Sequence, residues 1–343
     1  MKSRQVTLND IAQKLGVSII TVSKALRDHP DISAATNELV KRTASELGYS
    51  PNFMARNLAS RKSNTIGIVL PQIAHHFFSS IIEYIYYYAT GSHYEIFLTV
   101  SLEDAERQKK QFQTLLSMRV DGIIMSISQD TKDFEIFETA RKRQVPIVFM
   151  DRIPDLGNYN SVTVDDRGGA YKAIDHAIKL GYKNIAHFAG FTNINIGRER
   201  MLGFHQAMND NHLEINPDWI LEGDFGEKSG YDFFMKLYHA KNLPEFILAV
   251  TYPVAIGIYT AAKEVGLRIP EDVDLICFGN SPLQNLLSPP LSCINQPTEQ
   301  LAEKSLNLLI ENINSTDSLE SKQIVIETDL ILRGTAINYN GKL

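Results

Sequence analysis

In the stretch VSIITVSKALR, Val17 to Arg27, four polar side chains have chemistry that suits a nucleic-acid backbone: Thr21, Ser23, Lys24 and Arg27. Hydroxyls of Thr21 and Ser23 can bond phosphate oxygens, which fixes register on a duplex without reading sequence. Lys24 can reach guanine O6 or N7, and it and Arg27 can equally do no more than neutralise phosphates. Ile19 and Ile20 cannot hydrogen-bond through their side chains. In a major groove an exposed isoleucine can meet the thymine methyl group. For Ile19, packing on a neighbouring helix stands as the competing account.

These groups act together only if a helix carries them. Ser18 can cap one, and Val22, Ala25 and Leu26 would share its buried face, leaving Ile19, Ile20, Thr21, Ser23, Lys24 and Arg27 outward. Upstream, Thr7 with Asp10 three residues later is like a capping box with a shorter acid. Leu8, Ile11, Ala12 and Leu15 then make one apolar face, and Gly16 stops it. Asp28, His29 and Pro30 break the chain. Ser33 caps a third helix carrying Leu39, Val40, Thr43, Ala44 and Leu47, which Gly48 ends. Two short helices on a tight glycine turn, closed by a third, predict a helix-turn-helix whose second helix enters the major groove N-terminus first.

Charge points the same way. Residues 1–62 hold ten Lys and Arg against five Asp and Glu, a balance of +5, whereas the remainder holds 24 against 35, or −11. A basic head on an acidic body suggests that the head meets a polyanion. The 343 residues, 44% hydrophobic and 22% charged, suit two or three globular domains. Cys277 and Cys293 make no disulfide framework, which suits a reducing cytosol, and both are expected as small buried residues. The start MKSRQVTLNDIAQKLG has no apolar stretch of a signal peptide, so a cytoplasmic location is expected. The run Phe246–Ala262 is broken by Pro253 and is too short to span a membrane.

The segment SPNFMARNLASRKSN, Ser50 to Asn64, is polar, basic and weakly helical, and reads as a linker that orders on binding. Beyond it, strands and helices alternate twice. TIGIVLP, EIFLTVS, GIIMSIS and PIVFMD belong to the first round; NIAHFAG, FILAVT and VDLICFG belong to the second. Two parallel-sheet subdomains follow, with a ligand cleft between the carboxyl ends of their strands. Enzyme signatures are missing. Neither G-x-S-x-G nor H-E-x-x-H occurs, and GEKS at Gly226–Ser229 lacks phosphate-loop spacing. The adjacent His75 and His76 read as surface histidines rather than a metal pair. No enzyme, cofactor or metal site is expected.

VTLNDIAQKLGVSIITVSKAL, then LGYSPNFMARNLASRKSNTIGIVLP, resemble the LacI/GalR family of bacterial transcription regulators. VDDRGGAYKA, the Arg-x-x-Gly-Phe of Arg200 to Phe204, and PPLSCINQP extend the resemblance over nearly the whole chain. It implies a helix-turn-helix head over 1–50, a hinge over 51–64 and an effector and dimerisation domain of the periplasmic-binding-protein-like kind over 65–343. The N-subdomain would take about 65–164 and 295–325, and the C-subdomain about 165–292 and 326–343. It further implies a homodimer on a pseudo-palindromic double-stranded operator, a repressor more than an activator. The effector would be a small molecule, a sugar or sugar derivative.

The resemblance also implies sites. Lys24 stands where the family often carries a base-reading residue. Ala55, Arg56 and Leu58 match the hinge pattern Ala-Arg-x-Leu, in which paired leucines wedge into the minor groove and kink the duplex. Phe77, Phe78, Asp165, Arg200, Phe225 and Gln296 match effector-cleft positions, where aromatics stack a ring and polar groups fix its substituents. Core packing competes for each Phe, and an ion pair with Glu199 or a nearby acid competes for Arg200. Two positions depart from the pattern. Tyr252 replaces an acid in the usual Asn-Asp, and Gly279, followed by Asn280, replaces the acid of the usual Gly-Phe-Asp. Either the ligand is not a plain neutral sugar, or Tyr252 and Asn280 rebuild the grip, or a protein corepressor has taken over control. A solute-binding protein of the same body fold is the remaining alternative, and the head argues against it.

Overall fold

The computed structural model describes residues 6–50, 63–315 and 320–338. The chain divides into two compact units, Met1–Ser63 and Asn64–Leu343.

In the first unit, α1 (Leu8–Leu15), α2 (Ile19–Ala25) and α3 (Ala34–Glu46) surround one small core. The capping box is present: Asp10 N–H donates to Thr7 Oγ1 at 3.4 Å, and Thr7 N–H donates to Asp10 Oδ2 at 2.8 Å. Gly16 closes α1 at φ 64°, a left-handed conformation that suits glycine. Ile11, Ala12, Val22, Ala25, Val40 and Ala44 fill the core. Leu39 is the exception to the expected face. It stands exposed, because the buried row on α3 runs through Val40, Thr43 and Ala44.

The second unit carries two six-stranded sheets. The first has the order β11-β5-β4-β3-β1-β2, from β1 (Thr65–Leu70), β2 (Glu95–Val100), β3 (Gly122–Met125), β4 (Ile147–Met150), β5 (Asn160–Val164) and β11 (Gln323–Ile326), all parallel. The second has the order β12-β10-β9-β8-β6-β7, from β6 (Ile185–Gly190), β7 (Ile220–Gly223), β8 (Phe246–Ala249), β9 (Asp274–Phe278), β10 (Cys293–Asn295) and β12 (Asp329–Ile331). Only the β10–β12 pair among these is antiparallel. Strands β1 and β6 are buried at every position, as expected for strands covered on both faces.

The chain passes between the sheets three times: after β5 at Asp165, after β10 at Gln296 and Pro297, and after β11 at Glu327 and Thr328. Two of these crossings are tied together. Asp165 N–H donates to Ile326 O at 2.8 Å, and Thr328 Oγ1 donates to Asp165 O at 3.3 Å. The helix Thr298–Asn314 returns to the first sheet and packs Leu301, Leu306 and Leu309 on it. In both sheets the strand order reverses beside the first strand, between β1 and β3 and between β6 and β8. Ligands of open parallel sheets bind at such points, beyond the carboxyl ends.

Candidate functional site

The head presents an apolar corner. Ser18 caps α2, its Oγ accepting from Thr21 N–H at 3.0 Å, and the two hydroxyls lie 2.9 Å apart. Val22 and Ala25 are fully buried, and Leu26 packs half-buried on the same core. Ile19 is 47% and Ile20 70% exposed, and neither joins the head's core. The polar groups are engaged locally. Lys24 Nζ bonds Asp31 Oδ2 at 2.6 Å, and that hydrogen bond holds the Asp31 carboxyl below its ordinary range. Arg27 turns back on Ser23, donating from Nε to its carbonyl at 3.0 Å and from Nη2 to its Oγ at 3.2 Å. A phosphate or base that takes these groups exchanges hydrogen bonds rather than adding them, so the net gain per contact is small. The hinge residues Ala55, Arg56 and Leu58 lie outside the described residues.

In the body a cleft of about 570 Å³ opens between the two sheets, at the carboxyl ends of their strands. Phe77, Phe78, Arg200, Phe225, Tyr252, Asn280 and Gln296 all line it, brought together from both subdomains. Phe77 and Phe78 meet edge to face at 5.1 Å at the start of the helix His76–Ser92; Phe78 also packs in the first sheet's core. Phe225 is similarly shared between cleft and core, its ring lying 4.8 Å beneath the Arg152 guanidinium from the opposite subdomain. His75 and His76 also line the cleft. Thr251 supplies the cap that the usual Asn would: its Oγ1 accepts from Val254 N–H at 3.3 Å and donates to Phe225 O at 2.8 Å.

Asp165 does not line the cleft. It caps the helix Asp166–Leu180, Oδ1 accepting from Gly168 N–H at 2.8 Å. Of the pair Asp165-Asp166, the second is the inward one. Arg200 is only 1% exposed, and its partner is Asp166 rather than Glu199: Nε donates to Asp166 Oδ1 at 2.7 Å, and Nη1 to Val250 O at 2.5 Å. The guanidinium stacks 4.0 Å above the Phe278 ring. Burial pushes the Asp166 carboxyl up while Arg200 pulls it down.

Sequence reasoning missed Asp151 and Arg152. Asp151 directly follows β4, where the rule of carboxyl ends points. It is buried in the cleft wall, and burial pushes its carboxyl up to about 7. Across the cleft Asn195 clamps this turn, donating from Nδ2 to Asp151 O at 2.8 Å and accepting Ile153 N–H at 3.0 Å. Arg152 Nη1 bonds both oxygens of Glu103, at 2.8 and 3.0 Å.

The Asp151 shift has a sign. Between about pH 4 and pH 7 the native state keeps a proton that the unfolded chain releases, so this group lowers stability as pH rises through that window. Asp151→Asn is therefore expected to gain on the wild type progressively from pH 4 to 7. Above pH 7 the gain should level at on the order of 4 kcal/mol in urea titrations. A constant difference at all pH values would remove the buried carboxyl from the account.

Comparison with known proteins places this geometry. The profile of the bacterial regulatory proteins of the lacI family matches residues 7–52, and that of the periplasmic binding protein-like domain matches residues 174–336. The HTH-type transcriptional repressor PurR of Pasteurella multocida (strain Pm70) is 32% identical over 327 residues, covering 95% of this chain and 97% of the relative. The chain belongs to the lacI family of bacterial regulatory proteins. This lacI-family regulator is also 31% identical over 310 residues to catabolite control protein A of Priestia megaterium, covering 90% and 93% of the two chains. Among solved structures, the Lac repressor dimer bound to operator and the anti-inducer ONPF matches with a TM-score of 0.85 at 27% identity, over 97% of this chain and 99% of that one. Among the described residues of the regulator, no helix is long and apolar enough to cross a membrane.

Proposed function

We propose that the protein is a cytoplasmic, homodimeric transcription repressor that reads a pseudo-palindromic operator and is controlled by a small molecule in the body cleft. The outward face of α2 carries the reading: two exposed isoleucines at the N-terminus of a capped helix, with Lys24 in its last turn, suit thymine methyls and a purine. The described relatives support the class, since one is named a transcriptional repressor and another is a dimer bound to operator.

Control is an equilibrium between closure states. Asn195 on Asp151 and Ile153, Asn193 Nδ2 on Gln129 O at 2.8 Å, and Arg152 over Phe225 all bridge the subdomains beside the cleft. A ligand that prefers one closure state shifts that equilibrium by its difference in affinity and no more. In this reading closure sets the spacing of the two hinges, and Leu58 inserts into the minor groove only at one spacing. A cleft of small-molecule size, lined from both subdomains, favours this over a protein corepressor.

The test is selection of operators from random DNA with the full chain. A palindromic consensus with thymine on either strand opposite Ile19 or Ile20 is expected, with binding that falls steeply with salt. Lys24→Ala should change the preferred base at one position of each half-site. An unchanged consensus would make Lys24 a phosphate contact only, and the absence of any consensus would refute the reading.

A further inference from the structure

Where the family pattern leads one to expect two carboxylates, this cleft carries Tyr252 and Gly279 followed by Asn280, with Glu103, Asp151, Asp224 and Glu227 among its other lining residues. Gly279 takes φ 95° and leaves open space: a Cβ added there would lie 3.7 Å from Gln296 Oε1 and 3.7 Å from Tyr252 Cβ. Asn280 borders this space, and chemistry decides how its amide is turned. Arg333 Nη2 lies 2.7 Å from the Asn280 side chain. A guanidinium only donates, so the atom facing it is oxygen, and the Asn280 NH2 is turned away from Arg333.

Arg333 is itself held. Its Nη1 donates to Gln284 Oε1 at 3.1 Å and Leu291 O at 2.9 Å, and its Nε to Asn285 Oδ1 at 3.0 Å. All these partners are neutral, and among the described residues no carboxylate pairs with this guanidinium. A half-buried positive charge therefore stands uncompensated behind Asn280. The backbone acceptor at Gly279 is occupied. Gln284 Nε2 donates to Gly279 O at 2.7 Å, and the Tyr252 hydroxyl, on a residue that lines the same cleft, is able to donate as well as accept.

We propose that this end of the cleft binds a carboxylate carried by the ligand, in the space a carboxylate side chain at position 279 would fill. Asn280 and Tyr252 donate to it, and Arg333 is the positioning residue that turns Asn280 into a donor. The ligand class is an acidic ring compound, such as a uronic acid or a hydroxylated aromatic acid, rather than a neutral sugar. This rests on the cleft being the effector site, which operator selection without ligand does not test, so the two readings can fail separately.

The experiment is calorimetry on the full chain with matched pairs: D-glucuronate and D-galacturonate against glucose and galactose, and 4-hydroxybenzoate against 4-hydroxybenzyl alcohol. At least one acid should bind ten-fold or more tightly than its neutral counterpart. Asn280→Asp places an acceptor beside Arg333 and folds through that new pair. It should lose acid binding by at least ten-fold. Arg333→Gln removes the charge and frees the Asn280 amide, and should erase the discrimination between acid and neutral partner; Arg333→Lys should restore part of it. Overturning results are equal or tighter binding of the neutral compounds, no binding of any acid at 10 mM, preference for glucose 6-phosphate over both uronates, or an Asn280→Asp variant that binds acids as the wild type does.

Discussion

Arg200→Met should destabilise the body by about 3–5 kcal/mol, the largest loss expected from any single side chain in the cleft wall. Among the described residues the arginine is the one cation bonded to Asp166, a carboxylate only 4% exposed, and it also satisfies Val250 O. Removing it leaves a buried charge and a buried carbonyl without their partner, and each carries its full desolvation cost. The companion change distinguishes this from lost packing. Asp166→Asn in the Arg200→Met background removes the stranded charge, so the double variant should recover most of the loss, with a coupling of 2 kcal/mol or more in a double-mutant cycle. Urea unfolding of the body transition measures both. A single-variant loss below about 1 kcal/mol would mean that water or a rearranged Asp166 replaces the pair. The outcome also governs how effector data are read. A variant at Arg200 that no longer responds to ligand has lost a wall of the cleft, which is not the same as losing a ligand contact.

Gly230→Ala should be nearly as damaging, for a different reason. The helices Glu227–His239 and Tyr252–Glu264 cross with Gly230 against the Val254 carbonyl and Gly257 against the Glu227 carbonyl. A methyl at either position would penetrate a backbone oxygen, which cannot swing aside as a side chain can. Overpacking typically costs about 1–3 kcal/mol, and a backbone-to-backbone contact lies at or beyond the top of that range. The same crossing aligns the first turns of both helices, which bring Glu227, Lys228, Tyr252 and Pro253 to the cleft. Gly230→Ala is therefore expected to weaken ligand binding beyond its effect on stability. Unchanged body stability would show that the two helices slide apart freely.

What could be read beforehand was local. The Thr7–Asp10 box, the Ser18 cap and the Val22–Ala25 face depend on neighbours within one or two turns, and all are present. The alternation of strands and helices carried the two-sheet architecture, because buried parallel strands need runs such as TIGIVL and FILA. Long-range partnership was not legible. Nothing in VTVDDRGG tells that Asp165 turns to its own helix while Asp166 turns to Arg200, 34 residues away. The direction of the Asn280 amide depends on Arg333, 53 residues on. Asp151 could have been found, since it ends a strand on the side where ligands bind.

The three passages of the chain between the sheets bear on how the protein comes into being. The head is built from neighbours in sequence and can form as soon as α3 has been synthesised. The first sheet cannot be completed in the same way: its helix Thr298–Asn314 and its edge strand β11 are made after every strand of the second sheet except β12. On a ribosome adding about 5–20 residues per second, the exposed flank of β5 and the bare apolar face beneath that helix wait for roughly ten seconds or more. During that interval a finished DNA-reading head is attached to an unfinished body. The residues that face DNA are thus folded before the ligand cleft is complete.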